Sequence, residues 1–117
     1  MKKFVFALLV VFVAAGAALA DYGPTQNFEL VNNTGKTMVS LYIGPSGDRT
    51  WRSENELDGY AIASGASVAV EFEPWDQARY WDLYVTFEDG TAWEYDHFDL
   101  FSISRITLNK GGMATSE

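Results

Sequence analysis

YWDLYVTF, residues 80–87, sets Trp81, Leu83, Val85 and Phe87 on one side and Tyr80, Asp82, Tyr84 and Thr86 on the other. A period of two built from aromatic and β-branched residues specifies a strand with one buried face. Glu88-Asp89-Gly90 then turns the chain into TAWEYD, residues 91–96, where Trp93 and Tyr95 alternate with Ala92, Glu94 and Asp96.

The same alternation spreads outward from this pair. NFELV, residues 27–31, sets Phe28 and Leu30 against Glu29 and Val31, and NNTGK after it reads as a hairpin turn into KTMVSLYI. In that strand Val39, Leu41 and Ile43 share one face, and Met38, Ser40 and Tyr42 the other. ASGASVAVEFEP turns at Gly65, points Val68, Val70 and Phe72 one way, and stops at Pro74. FDLFSIS reads as an irregular crossing or short helical turn, and RITL as a closing strand with Ile106 and Leu108 inward. No segment has a convincing amphipathic helical period. The expected fold is all-β, a small antiparallel β-sandwich of about six to eight strands around one core.

The N-terminus reads as an address. MKK supplies a positive region, FVFALLVVFVAAGAALA an apolar one, and Ala18-Leu19-Ala20 an A-x-A cleavage site. Residues 1–20 are therefore expected to be a cleaved signal peptide, 21–110 a single sandwich domain and 111–117 a disordered C-terminal tail. Bacterial export to the periplasm or the medium follows, with no membrane insertion after cleavage. The chain has no cysteine, so stability must come from buried apolar surface, which the aromatic residues supply.

Charge narrows the partners. The net charge of −8 becomes −10 once Lys2 and Lys3 leave. Such a surface repels phosphate backbones and anionic headgroups, which argues against nucleic acid. Cationic partners and divalent metals are compatible with it, and excess acid also serves solubility.

The inventory for catalysis is thin. The chain lacks a cysteine nucleophile, a GxSxG elbow, an HExxH motif and a phosphate-binding glycine loop. His97, the one histidine, lies between Asp96 and Asp99 in DHFD, where a general base would be oriented by a carboxylate. A structural histidine in a polar turn is the plainer reading. Glu71 and Glu73 have the spacing of a glycosidase pair, yet alternating charge on a solvated strand face explains them equally. The chain is accordingly read as a non-enzyme that binds a protein or glycan partner.

Three groups of residues are candidates for binding. Asp48, Glu54, Glu56 and Asp58 share one loop and are the candidate calcium ligands, but Arg49 and Arg52 in the same loop would neutralise those acids just as well, and the plainer expectation is no cofactor. Tyr80 and Tyr84 lie opposite Trp81 and Leu83, so a buried Trp81 turns them outward as a candidate aromatic recognition strip; cross-strand stacking on Trp93 or Tyr95, or a place under the second sheet, is the plainer reading. Trp51 is either a binding platform or a plug over the open end of the core; the plug is preferred, with Tyr60 and Ile62 continuing the cover.

The order FELVNNTGKTMVSLYIGPS, Trp51, Leu57, ASGASVAVEF, WDLYVTFEDG, DL and RITL resembles a family of small exported bacterial proteins of unassigned function. Its members run an N-x-T-G hairpin into an L-Y-I-S-P-S strand end, a tryptophan loop, a G-x-S turn and a W/Y-D-L-x-V strand closing in D-G. The likeness spans Phe28 to Leu108 and implies an exported β-sandwich without an established catalytic residue. This chain differs in Gly44, where serine is usual, and in Arg49 and Arg52 around Trp51.

The cleavage site makes a direct prediction. Mass spectrometry of the exported protein should find Asp21 as its first residue, and an intact N-terminus in the membrane fraction would overturn the export reading.

Overall fold

The computed structural model describes residues 3–4, 10–13, 25–48, 54–72 and 77–117. Its strands are β1 (Lys3–Phe4), β2 (Val10–Val13), β3 (Phe28–Asn33), β4 (Met38–Pro45), β5 (Tyr60–Ala61), β6 (Ser67–Phe72), β7 (Trp81–Phe87), β8 (Ala92–Phe98), β9 (Arg105–Asn109) and β10 (Ala114–Ser116). A 3-10 turn, Lys110–Gly112, joins the last two. One sheet runs β10-β9-β3-β6-β2 and the other β4-β7-β8, while β5 pairs with β1. The expected small β-sandwich is the fold. Among the described residues no helix is long and apolar enough to cross a membrane.

The core lies between the two sheets. Phe28, Leu30, Val68, Val70, Ile106 and Leu108 come from one side, and Leu41, Ile43, Trp81, Leu83, Val85 and Phe87 from the other. Phe72 meets the Trp81 ring edge-on at 4.6 Å and the Phe28 ring at 6.3 Å. The indole N–H of Trp81 donates to Gln26 Oε1 at 2.8 Å, which satisfies the polar tip of a ring that is otherwise dry. All the buried side chains of this cluster lie between Phe28 and Leu108, so the chain from residue 21 carries its whole described core.

Four expectations need correction. The NNTGK turn does not close a hairpin, because β3 pairs with β6 and β9 while β4 pairs with β7, in the other sheet. Its turn chemistry serves a crossing between sheets: buried Asn32 donates through Nδ2 to the carbonyls of Lys36 and Ile62, both at 2.8 Å, and accepts from Thr34 Oγ1 at 2.7 Å. Second, a register irregularity between Met38 and Ser40 breaks the simple alternation of β4, so Met38 is fully buried while Val39 is only half-buried. Third, the tail is ordered. β10 pairs with β9, and the Glu117 carbonyl accepts from the N–H groups of Ser104 and Arg105. Fourth, β3 and β9 run parallel inside a sandwich that is otherwise mostly antiparallel.

Trp51 lies outside the described residues, so its part as a plug is not described. Leu57 is fully buried in the core, as is Ile62, and Tyr60 is half-buried. The segment that carries Leu57 also closes the free edge of β4. The Glu56 N–H donates to the Leu41 carbonyl at 2.7 Å, and Asn55 Oδ1 accepts from the N–H groups of Leu41 and Leu57.

The inward row of β7 can be weighed against its outward row. Trp81→Ala should cost about 3–5 kcal/mol, the usual range for removing a buried aromatic ring. Half-buried Tyr84 should lose much less on the same change. Urea melts of the two variants measure the difference, and equal losses would contradict the assignment of faces.

Candidate functional site

With Trp81, Leu83, Val85 and Phe87 turned inward, the intervening positions of β7 form the outer face of the three-stranded sheet. Register builds it in rows. Tyr42 lies opposite Tyr84, and Tyr84 opposite Glu94; Ser40 lies opposite Thr86, and Thr86 opposite Ala92. The Tyr42 and Tyr84 rings are 5.8 Å apart and tilted by 45°. Beside them the Ser40 and Thr86 hydroxyls hydrogen-bond across the strands.

Asp82 organises the end of this face. Its carboxylate is buried and accepts through Oδ1 from the Ser46 hydroxyl and from the backbone N–H of His97 at 3.0 Å. The second bond falls where the β7–β8 register shifts, and His97 has φ of 71° there. This twist stacks the imidazole on Tyr80, with the rings 4.5 Å apart and 7° from parallel, and Arg79 lies over the Tyr80 ring at 5.2 Å. His97 thus belongs to an aromatic stack and a bulge. Carboxylate oxygens of Asp82, Glu94 and Asp96 converge within 4.8 Å of one another. Three carboxylates, one of them already accepting two hydrogen bonds, supply only part of the 6–8 oxygens that calcium takes.

The candidate residues read from sequence separate here. Tyr80 and Tyr84 lie on the outward side of β7 and its approach, with Trp81 buried between Tyr80 and Asp82. Trp51 and Glu73 fall outside the described residues. Among the described residues, the acidic group that converges is Asp82, Glu94 and Asp96, and none of Asp48, Glu54, Glu56 and Asp58 belongs to it. Glu56 is instead packed beside the β4 edge, where burial, and then the neighbouring Glu54 charge, push its carboxyl up to about 7. Glu71 is half-buried on the outer side of β6.

A second feature had no signal in the sequence. A cavity of about 360 Å³ is lined by Thr34, Lys36, Phe87, Trp93, Asn109 and Lys110, bringing together the two lysines that follow residue 20. Gly112, with φ of 75°, lets the 3-10 turn close onto the Trp93 ring, since a Cβ there would meet ring carbon Cε3 at 2.5 Å. Lys36 is engaged by Asp89 at 2.9 Å and by Thr91 Oγ1 at 3.0 Å. That pairing, together with hydrogen bonds from Thr91, pulls the Asp89 carboxyl down to about 2, with the Thr91 bonds the larger cause.

Comparison with known proteins gives no matching family model, no matching curated protein and no matching solved structure.

The raised Glu56 carboxyl fixes a sign. Its ordinary value is 4.5 and its folded value about 7, so across that window the folded chain keeps a proton that the unfolded chain releases. Stability from this group is greatest below pH 4.5 and declines as pH rises to 7. Glu56→Gln should remove that decline, so urea midpoints should show the variant gaining on the parent between pH 4 and pH 8. A constant difference would contradict it.

Proposed function

We propose that the protein is an exported, non-enzymatic binding module that recognises a neutral glycan on the outer face of the β4-β7-β8 sheet. One observation carries the reading: the half-buried Tyr42 and Tyr84 rings stand side by side on a rigid sheet, with Glu94 next in the same row and Asp82 and Asp96 close to it. Aromatic faces pack on the C–H surface of a sugar ring, and carboxylates accept hydrogen bonds from its hydroxyls. The sheet holds both without rearrangement, which limits the entropy cost of binding.

The acidic character of the face selects against anionic sugars and nucleic acid. Hydrolysis is the weaker reading. The Asp82 carboxylate of the convergent group already accepts hydrogen bonds from the Ser46 hydroxyl and the His97 N–H, and the imidazole of His97 is stacked on Tyr80. The N-terminal leader supports export, and with it a role in the periplasm or medium.

Titration of residues 21–117 against a panel of neutral oligosaccharides tests the reading. A ligand should appear whose affinity falls at least tenfold in Tyr84→Ala, while the urea midpoint moves little. No glycan binding, or salt-sensitive binding of lysine-rich peptides alone, would overturn it.

A further inference from the structure

Among the described residues, the sheet edges differ in how they resist the addition of another strand. The edge of β4 is closed by Asn55, Glu56 and the Met38–Ile62 bridge. β8 carries Glu94 and Asp96 and is bent at His97, and β10 is only three residues long. These are familiar protections against edge pairing.

β6 has none of them. Ser67–Phe72 is a regular six-residue strand without proline or lysine and with one charge, Glu71. The Asn32 N–H donates to the Ala66 carbonyl, and the Phe72 N–H donates to Asn27 Oδ1, so both Ala66 and Phe72 face the β3 side. Alternation therefore turns the N–H and C=O groups of Ser67, Ala69 and Glu71 to the other side. That side is occupied by β2, running parallel, with Val10 opposite Ala69 and Val13 opposite Phe72. β2 reads VVFV and lies inside the leader. Cleavage after Ala20 takes the cover away.

We propose that β6 is a strand-acceptor edge in the mature protein, and that its occupant is an extended, uncharged apolar segment of another polypeptide, added parallel to β6 as Val10–Val13 is in the precursor. This rests on the export reading above, because only removal of the leader frees the edge. The seat is already filled by four apolar residues in a defined register, which fixes the chemistry and direction of the occupant. A second copy is disfavoured: each mature chain carries −10, and two-fold pairing would set β6 antiparallel to itself. Strand addition draws affinity from main-chain hydrogen bonds, so the peptide backbone itself offers the discriminating test.

The probe is a fluorescent peptide of residues 8–15, LLVVFVAA, with lysines added at both ends for solubility. By anisotropy it should bind residues 21–117 at least tenfold more tightly than the full chain, whose own β2 fills the seat. The register turns the N–H groups of Val11 and Val13 towards β6, so N-methylation at those two residues should abolish binding, and N-methylation at Val10 and Phe12 should not. Equal binding by the two chains, indifference to the methylation pattern, or a peptide-insensitive dimer of residues 21–117 would each overturn the proposal. So would loss of the fold without residues 1–20, since β2 would then be a permanent strand. Because residues 21–117 are produced directly, this result is separate from whether the cell cleaves after Ala20.

Discussion

Asn32 ties the two sheets together where the chain crosses from β3 to β4. Its side chain is fully buried and has partners for both its donor and acceptor atoms, bonding to Lys36 and Ile62 on one hand and Thr34 on the other. A buried amide left unpaired would cost about 1–3 kcal/mol, so the arrangement is cooperative: it forms completely or destabilises the fold. The carbonyl of Ile62 brings the segment after the acidic loop into the same knot, and Ile62 in turn bridges to Met38. Without disulfides, this polar junction does what a covalent staple does in many small exported domains.

How much the sequence disclosed depended on the range of the interaction. Trp81 through Phe87 were legible because alternation is a property of a single strand, and the same holds for Val68, Val70 and Phe72. NNTGK was misread as a hairpin because Asn and Gly serve a crossing as readily as a tight turn; what decides between them is the long-range pairing of β3 with β6 and β9. Met38 and Val39 exchanged places because one register irregularity shifts every assignment before it. The tail lacks alternation, and its order comes from pairing with β9.

The outer face was half legible for the same reason. Tyr84 could be turned outward by counting from Trp81, but its neighbours Tyr42 and Glu94 follow from register between strands. The acidic cluster needs the bulge at His97, which no spacing announces. Conversely, the run of acids from Asp48 to Asp58 looked concentrated in sequence, yet Glu56 spends its position closing an edge. Its carboxyl is an electrostatic burden there, and its main chain is the useful part.

The parallel pairing of β3 with β9 joins Glu29 to Arg105 through a 2.7 Å ion pair across 76 positions of sequence. β3 sits in the middle of its sheet, so its two flanks cannot both be filled until nearly the whole chain has emerged. Such distant pairing must lose most of its loop entropy before any contact repays it, which slows folding relative to a fold of local hairpins. The sheet therefore closes late, because β3 has no β9 to pair with until Arg105–Asn109 has been made.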